Sequence, residues 1–238
     1  MKVFIIAEAA CTWLHGGLEA ACRSIKAAKD CGADAWKTQW TSDSVAMHKR
    51  RGIEGDHYKR LAWPREWLSL LKAKCDEVGI GFLCTVFIEK DLSVIAKYVK
   101  FIKVSGFEAE DWSFMQAAAG EERSLIVSVR YGAMRLRPCP DVNFLYVVSE
   151  YPTPLENLHL LKMGKHDGFS CHTPDIRVGG WAVAAGARIV ESHVRLSDTP
   201  SDDPDYRHSF TLDSVWSTKD DALFAGFVKN IRDCEVAL

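Results

Sequence analysis

The chain has 238 residues, 47% of them hydrophobic, 11% aromatic and 26% charged, so it can bury a large core and is neither disordered, collagenous nor coiled-coil. Thirty Lys and Arg against 32 Asp and Glu leave a formal charge of −2, which supplies no global pull toward nucleic acid or an anionic membrane. The eight cysteines include no CxxC pair and several sit in apolar runs, which predicts reduced thiols packed as small hydrophobes in a cytoplasmic chain.

The opening MKVFIIAEAAC imitates a secretory leader, but Glu8 interrupts its apolar stretch, and residues 2–9 predict a strand. From there, short apolar runs at 35–40, 81–86, 101–106, 124–130, 143–150, 168–172 and 188–194 alternate with helical stretches at 17–30, 64–78, 91–98, 111–119, 154–163 and 178–185. A last helix is predicted near 218–234. The fifth crossover, residues 131–142, holds Pro138 and Pro140 and has no room for a full helix. Eight βα units in a chain of this length predict an α/β fold, a (β/α)8 TIM barrel occupying residues 1–238 as one domain with a truncated fifth crossover helix. A doubly wound sheet with an antiparallel edge is the structural competitor.

Strands buried on both faces should be apolar throughout, so polar residues near their carboxyl ends need a reason. Period-two alternation puts Lys37 with Gln39, Lys103 with Ser105, Ser170 with His172 and Glu191 with His193 on shared faces. Glu8, Thr85, Ser128, Arg130, Ser149 and Tyr151 close the remaining runs. In a barrel all these ends meet on one rim, where active sites of this architecture lie. Each residue alone has a plainer explanation: hydroxyls cap helices, lysines reach solvent along their stems, and a lone histidine is a hydrogen-bonded core residue. Two histidines ending consecutive strands are different, because strands about 4.8 Å apart let both imidazoles reach one ion. His15, His48, His57, His159, His166 and His208 fall in loop or helix contexts, with surface placement expected for each.

IIAEA at 5–9, GADAWKTQ at 32–39, FLCTVF at 82–87, KVSGFE at 103–108, SEYPTPLENL at 149–158, GFSCHT at 168–173, GARIVESH at 186–193 and PDYRHSF at 204–210 follow one another in an order and spacing that resembles the sialic acid synthase (N-acetylneuraminate synthase)-like family. The resemblance implies a cytoplasmic transferase of carbohydrate biosynthesis that condenses phosphoenolpyruvate with an aldose-type acceptor and releases phosphate. It covers the barrel domain without the family's small C-terminal antifreeze-like domain. By the same resemblance His172 and His193 are the divalent-metal ligands. Lys37, Thr85, Lys103, Ser128 and Ser170 form the phosphoenolpyruvate cradle, with Ser149 standing where asparagine is usual. Glu8, Gln39, Glu108, Tyr151 and Asp205 face the sugar or the reacting water, and a homodimer is expected. Cys171 replaces the family's usual aspartate and, alternating away from His172, is expected to face outward.

Nitrogen ligands favour manganese, cobalt, iron(II) or zinc over magnesium, and manganese is the metal expected. Glu8 is the expected base for the water that adds to carbon 2 of the donor. Two further functions fit the same residues. One is a metal-dependent sugar lyase or epimerase using His172, His193 and Glu191, and the other is a non-catalytic ligand-binding barrel.

Overall fold

Each apolar run forms a strand because its two faces have separate apolar destinations, the barrel interior and the helical layer outside. The computed structural model describes residues 2–52, 58–130, 132–133, 135–159, 162, 164–214 and 223–237. The strands are β1 (Phe4–Glu8), β2 (Ala35–Gln39), β3 (Gly81–Thr85), β4 (Phe101–Val104), β5 (Ser124–Arg130), β6 (Val142–Val147), β7 (Gly168–Cys171) and β8 (Ile189–Arg195). Each pairs in parallel with the next, and β8 pairs with β1, so the sheet closes into an eight-stranded barrel. A short β9 (Phe210–Thr211) lies parallel to the end of β8, with Val194 opposite Phe210.

The described helices are α1 (Gly17–Asp30), α2 (Ser44–Arg51), α3 (Trp67–Val78), α4 (Glu89–Ile95), α5 (Trp112–Gly120), α6 (Arg177–Ala184) and α7 (Phe224–Ala237). The α2 helix falls in a stretch the sequence reading left as loop, although its signals are local. The Asp43 side chain accepts from the amide of Ala46 at 2.9 Å at the start, and Gly52 closes the end in the left-handed region at φ +63. The described residues between β5 and β6 form turns and bends without a helix, as the two prolines predict. After β6 the stretch expected as a helix at 154–163 opens with a 3-10 turn, Leu155–Asn157, and Lys162 is helical, while residues 160, 161 and 163 lie outside the described residues. The start of the helix expected near 218–234 also lies outside them, and its described part begins at Phe224. No described helix is long and apolar enough to cross a membrane.

Side-chain parity sorts the strands into two layers of packing. Outward-facing residues such as Ile5, Trp36, Phe82, Ile102, Val127, Phe144, Phe169 and Val190 join the helices in one continuous core. Inward-facing Ile6, Ala35, Leu83, Ile126 and Leu145 form a separate cluster inside the barrel, with Phe4, Phe101 and Ile189 packed against it. This plug seals the lower barrel, as in barrels generally, and each fully buried aliphatic side chain contributes about 1.5–3 kcal/mol. Two residues further along the inward positions turn polar on every strand but β6, where Val147 stands.

Gly168 shows how tightly the staves are drawn. A Cβ built there would lie 2.1 Å from the carbonyl oxygen of Ile189 and 2.6 Å from Leu145 Cδ2. Backbone cannot give way as a flexible side chain can. Gly168→Ala should lower stability by about 1–3 kcal/mol, read as a fall in thermal midpoint; an unchanged midpoint would show that β7 and β8 can separate at no expense.

Candidate active site at the carboxyl end of the barrel

The strand ends open into a cavity of about 520 Å³, within the range of small-molecule sites. Of the residues singled out from the sequence, Glu8, Lys37, Gln39, Thr85, Lys103, Ser128, Ser149, Tyr151, Ser170, His172, His193 and Asp205 all line it. Register explains the convergence. Glu8 lies opposite both Lys37 on β2 and His193 on β8, Thr85 lies opposite Gln39 and Lys103, and Ser170 lies opposite Glu191.

The floor of the cavity is a chain of alternating charges. Lys37 Nζ pairs with Glu8 Oε2 and lies 3.3 Å from Glu191 Oε1, and Lys103 Nζ lies 3.6 Å from the same Glu191 oxygen. All four side chains are buried to 4% exposure or less. The hydroxyls are tied into the chain as well. Lys37 donates to Thr85 Oγ1 at 3.2 Å, Lys103 donates to Ser128 Oγ at 2.8 Å, and Ser170 Oγ donates to Glu191 Oε1 at 3.0 Å. The two lysines, expected in the phosphoenolpyruvate cradle, are thus already paired with carboxylates. Two ammonium groups are balanced by two carboxylates, because isolated charges would not survive in so dry a place.

Burial acts differently on the four groups. It pushes the Lys103 ammonium down to about 8, with Glu191 opposing and Lys37 reinforcing. It disfavours charge on Lys37 too, but Glu191 and Glu8 outweigh it and hold the ammonium on. Glu191 stays below the usual carboxylate range because Lys103 and Lys37 overcome its burial. Glu8 is raised by burial, and the nearby Glu191 carboxylate adds to the effect although Lys37 works against it. Of the two carboxylates, Glu8 is the one poised to take a proton.

Beside this floor lies a cluster of imidazoles. The ring centroids of His172 and His193 are 5.3 Å apart, so the two predicted histidines do meet. His172 Nδ1 lies 2.8 Å from the carbonyl oxygen of Val148, which can only accept; the proton is on Nδ1 and the Nε2 lone pair is free. Burial lowers His172 to about 4 and His193 well below the usual histidine value, so both rings are neutral and able to ligate.

The tightest group of candidate metal-ligand atoms is nevertheless a different one. His193, Asp205 and His208 each place a ligand atom within 4.8 Å of the other two. Nδ1 of His193 is buried without a hydrogen-bond partner among the described residues, and it lies 3.8 Å from Asp205 Oδ1. An orphaned imidazole nitrogen beside a carboxylate and a second imidazole fits a divalent cation in its donor chemistry. Asp205, expected to face the sugar, thus lies against the histidines. His208, expected at the surface, is 2% exposed. His15 and His159 are exposed and His48 and His166 half-buried, while His57 lies outside the described residues.

Glu108, expected to face the sugar or the reacting water, does not line the cavity. It is fully buried behind the cavity wall, where its carboxylate accepts from Arg51 Nη2 at 2.7 Å and Nε at 3.2 Å and from the Ser105 hydroxyl. Its work is to hold Arg51, whose guanidinium also lies 5.3, 5.0 and 4.9 Å from the rings of Tyr58, Phe87 and Phe107 and faces the cavity from the end of α2. Arg60, whose guanidinium pairs with Asp203 at 3.1 Å and Asp205 at 3.2 Å, is a second cation the sequence reading did not name. Cys171 is buried on the outer face with its thiol pushed up to about 12 by burial, so it is inert and does not ligate.

The NeuB family model matches residues 24–238. Pseudaminic acid synthase of Campylobacter jejuni is 31% identical over an alignment spanning all of this chain and 75% of that protein. Human N-acetylneuraminate-9-phosphate synthase is 27% identical over 82% of this chain and 63% of its own length. Among solved structures, the N-acetylneuraminic acid synthetase of Leptospira borgpetersenii superposes with a TM-score of 0.81 over 100% of this chain and 85% of that one; at 24% identity this likeness speaks for the fold. With the family model spanning most of the sequence and a relative above 30% identity aligned along all of it, the chain belongs to the NeuB family.

Proposed function

We propose that this chain condenses phosphoenolpyruvate with the aldehyde carbon of an aldose-type acceptor in the cavity at the barrel mouth, with a divalent metal ion at the histidine cluster and release of inorganic phosphate. The relatives are named as synthases of pseudaminic acid and of N-acetylneuraminate 9-phosphate, and a family member is a sugar-acid synthase. The observation that carries the assignment is the joining, on one rim, of two buried ammonium groups and their hydroxyl partners to a cluster of neutral imidazoles.

Phosphoenolpyruvate brings a carboxylate and a phosphate. Lys37, Lys103, Thr85, Ser128 and Ser170 are donors of the kind such a pair of anions requires. Because Glu8 and Glu191 already balance the lysines, the donor meets a floor of no net charge, and a divalent ion at the histidine cluster would supply the missing compensation. Manganese, cobalt, zinc, iron(II) or magnesium held by His193 and Asp205 with His172 alongside would polarise the acceptor carbonyl as a Lewis acid.

Carbon 3 of the enol forms the new bond to the aldehyde carbon, whose oxygen takes up a proton to become a hydroxyl; water adds at carbon 2, and the carbon 2–oxygen bond to the phosphoryl group breaks, releasing phosphate and leaving the 2-keto acid. Glu8 takes the proton of that water, in keeping with its raised pKa. Arg51, steadied by Glu108, presents its guanidinium to the acceptor end of the cavity. Glu191 gathers both lysines and Ser170 on Oε1 and is held below the usual carboxylate range, which makes it a weaker base than Glu8. The eight cysteines are all free thiols, which supports a reducing compartment such as the cytoplasm.

The test is phosphate release from phosphoenolpyruvate, screened over aldoses with each divalent metal added back to chelator-treated protein. Phosphate should appear in step with a 2-keto acid, and chelation should abolish both. Metal-dependent turnover of a sugar without phosphoenolpyruvate would replace this reading with the lyase. Absence of any turnover, with ligand binding intact, would replace it with a binding barrel.

A further inference from the structure

The loop after β8 folds back so that β9 pairs with the end of that strand, and this return carries Asp205 and His208 over His193. Rings of His193 and His208 lie 4.5 Å apart at their centroids, and His208 Nε2 lies 3.2 Å from Asp205 Oδ1. The other Asp205 oxygen is engaged by Arg60, so the carboxylate is oriented by one partner while presenting its free edge to the two imidazoles. The Ser209 hydroxyl fixes the turn by donating to the Asp205 carbonyl at 2.6 Å. An unpartnered Nδ1 on His193, 5% exposed, faces the same space.

We propose that His208 is a further protein ligand of the divalent ion, joining His193 and Asp205, and that this donor set selects zinc, cobalt or iron(II) over manganese and magnesium. The inference rests on the reading that the site uses a metal, but it concerns which atoms hold the ion. Two imidazoles already favour zinc, cobalt and iron(II) over manganese, and a further imidazole in place of a water widens that preference. The added donor thus places zinc, cobalt and iron(II) ahead of manganese, the metal first expected. A hydrogen bond from His208 to Asp205 with no metal role is the competing explanation, and it predicts no change in metal preference.

The full chain, stripped of metal and without substrate, is titrated with Zn²⁺, Co²⁺ and Mn²⁺ against a competing chelator, beside His208→Asn, whose amide can keep the hydrogen bond to Asp205. The unaltered chain should hold one Zn²⁺ about 100-fold or more tighter than Mn²⁺. His208→Asn should weaken Zn²⁺ and Co²⁺ about 100-fold and Mn²⁺ about tenfold or less, narrowing the preference. Equal affinities for Zn²⁺ and Mn²⁺ in the unaltered chain would overturn the proposal whether or not the variant folds. So would a variant that loses all three ions equally or none of them. Because no substrate is present, these outcomes are independent of the condensation assay, whose failure would count against the proposed reaction instead.

Discussion

Replacing Lys37 by Met should both destabilise the fold and abolish tight donor binding. Lys37 stands between Glu8 and Glu191, and with its ammonium gone the two buried carboxylates retain Lys103 alone, 3.6 Å from Glu191. Removing one partner of a buried ionic group leaves uncompensated charge, worth about 3–5 kcal/mol, whereas removing charge in balanced pairs is far milder. For a chain of this length that corresponds to a fall in thermal midpoint of about 6–20 °C. The double variant Lys37→Met with Glu8→Gln should recover part of the loss, since it removes the orphaned carboxylate together with its cation. If the single variant melted at the original temperature, the charge chain would not be the floor of the site. A double variant no more stable than the single would assign the loss to packing.

Glu8→Gln is expected to separate chemistry from binding. The amide keeps the shape of the side chain, and its oxygen can still accept from the Ala10 amide, which donates to Glu8 Oε1 at 2.5 Å. What disappears is the group that takes the proton. Turnover should fall about 10²- to 10⁴-fold. The KM for phosphoenolpyruvate should move by no more than about threefold, the signature of an interaction made only in the transition state. Unchanged turnover would remove Glu8 from the reaction and leave it as a partner of Lys37 alone. A large rise in KM with turnover preserved would reassign it to donor binding.

Much of the barrel was legible because period and position coincide. Burial on both faces forces an apolar run, so polar residues such as Lys37, Lys103, Glu191 and His193 stand out against it, and parity alone assigns them to one side. The order of the strands follows from the same logic, since parallel neighbours joined by helices wind in one direction. The truncated fifth crossover followed from Pro138 and Pro140, whose rings break a helix interior in a stretch too short to hold a helix on either side of them. Only local chemistry was needed.

Residues that act across the chain were less visible. Arg51 reached the cavity on α2, whose Asp43 cap and Gly52 terminus were present in the sequence but compete with a short, charged, weakly apolar stretch. Glu108 looked like a site residue by its match to a motif, yet its carboxylate turns to Arg51, a partner 57 positions away that no spacing rule connects to it.

Eight apolar runs with polar carboxyl ends determined the barrel, its rim and the strand-borne polar side chains on that rim, because strand periodicity is local and is written residue by residue. Only the tertiary structure decided how those side chains divide their charges: that Lys37 and Lys103 are neutralised by Glu8 and Glu191, and that Asp205 and His208 close over His193. Coulomb interaction in a dry cavity depends on distance through space, and the separation along the chain carries no information about it.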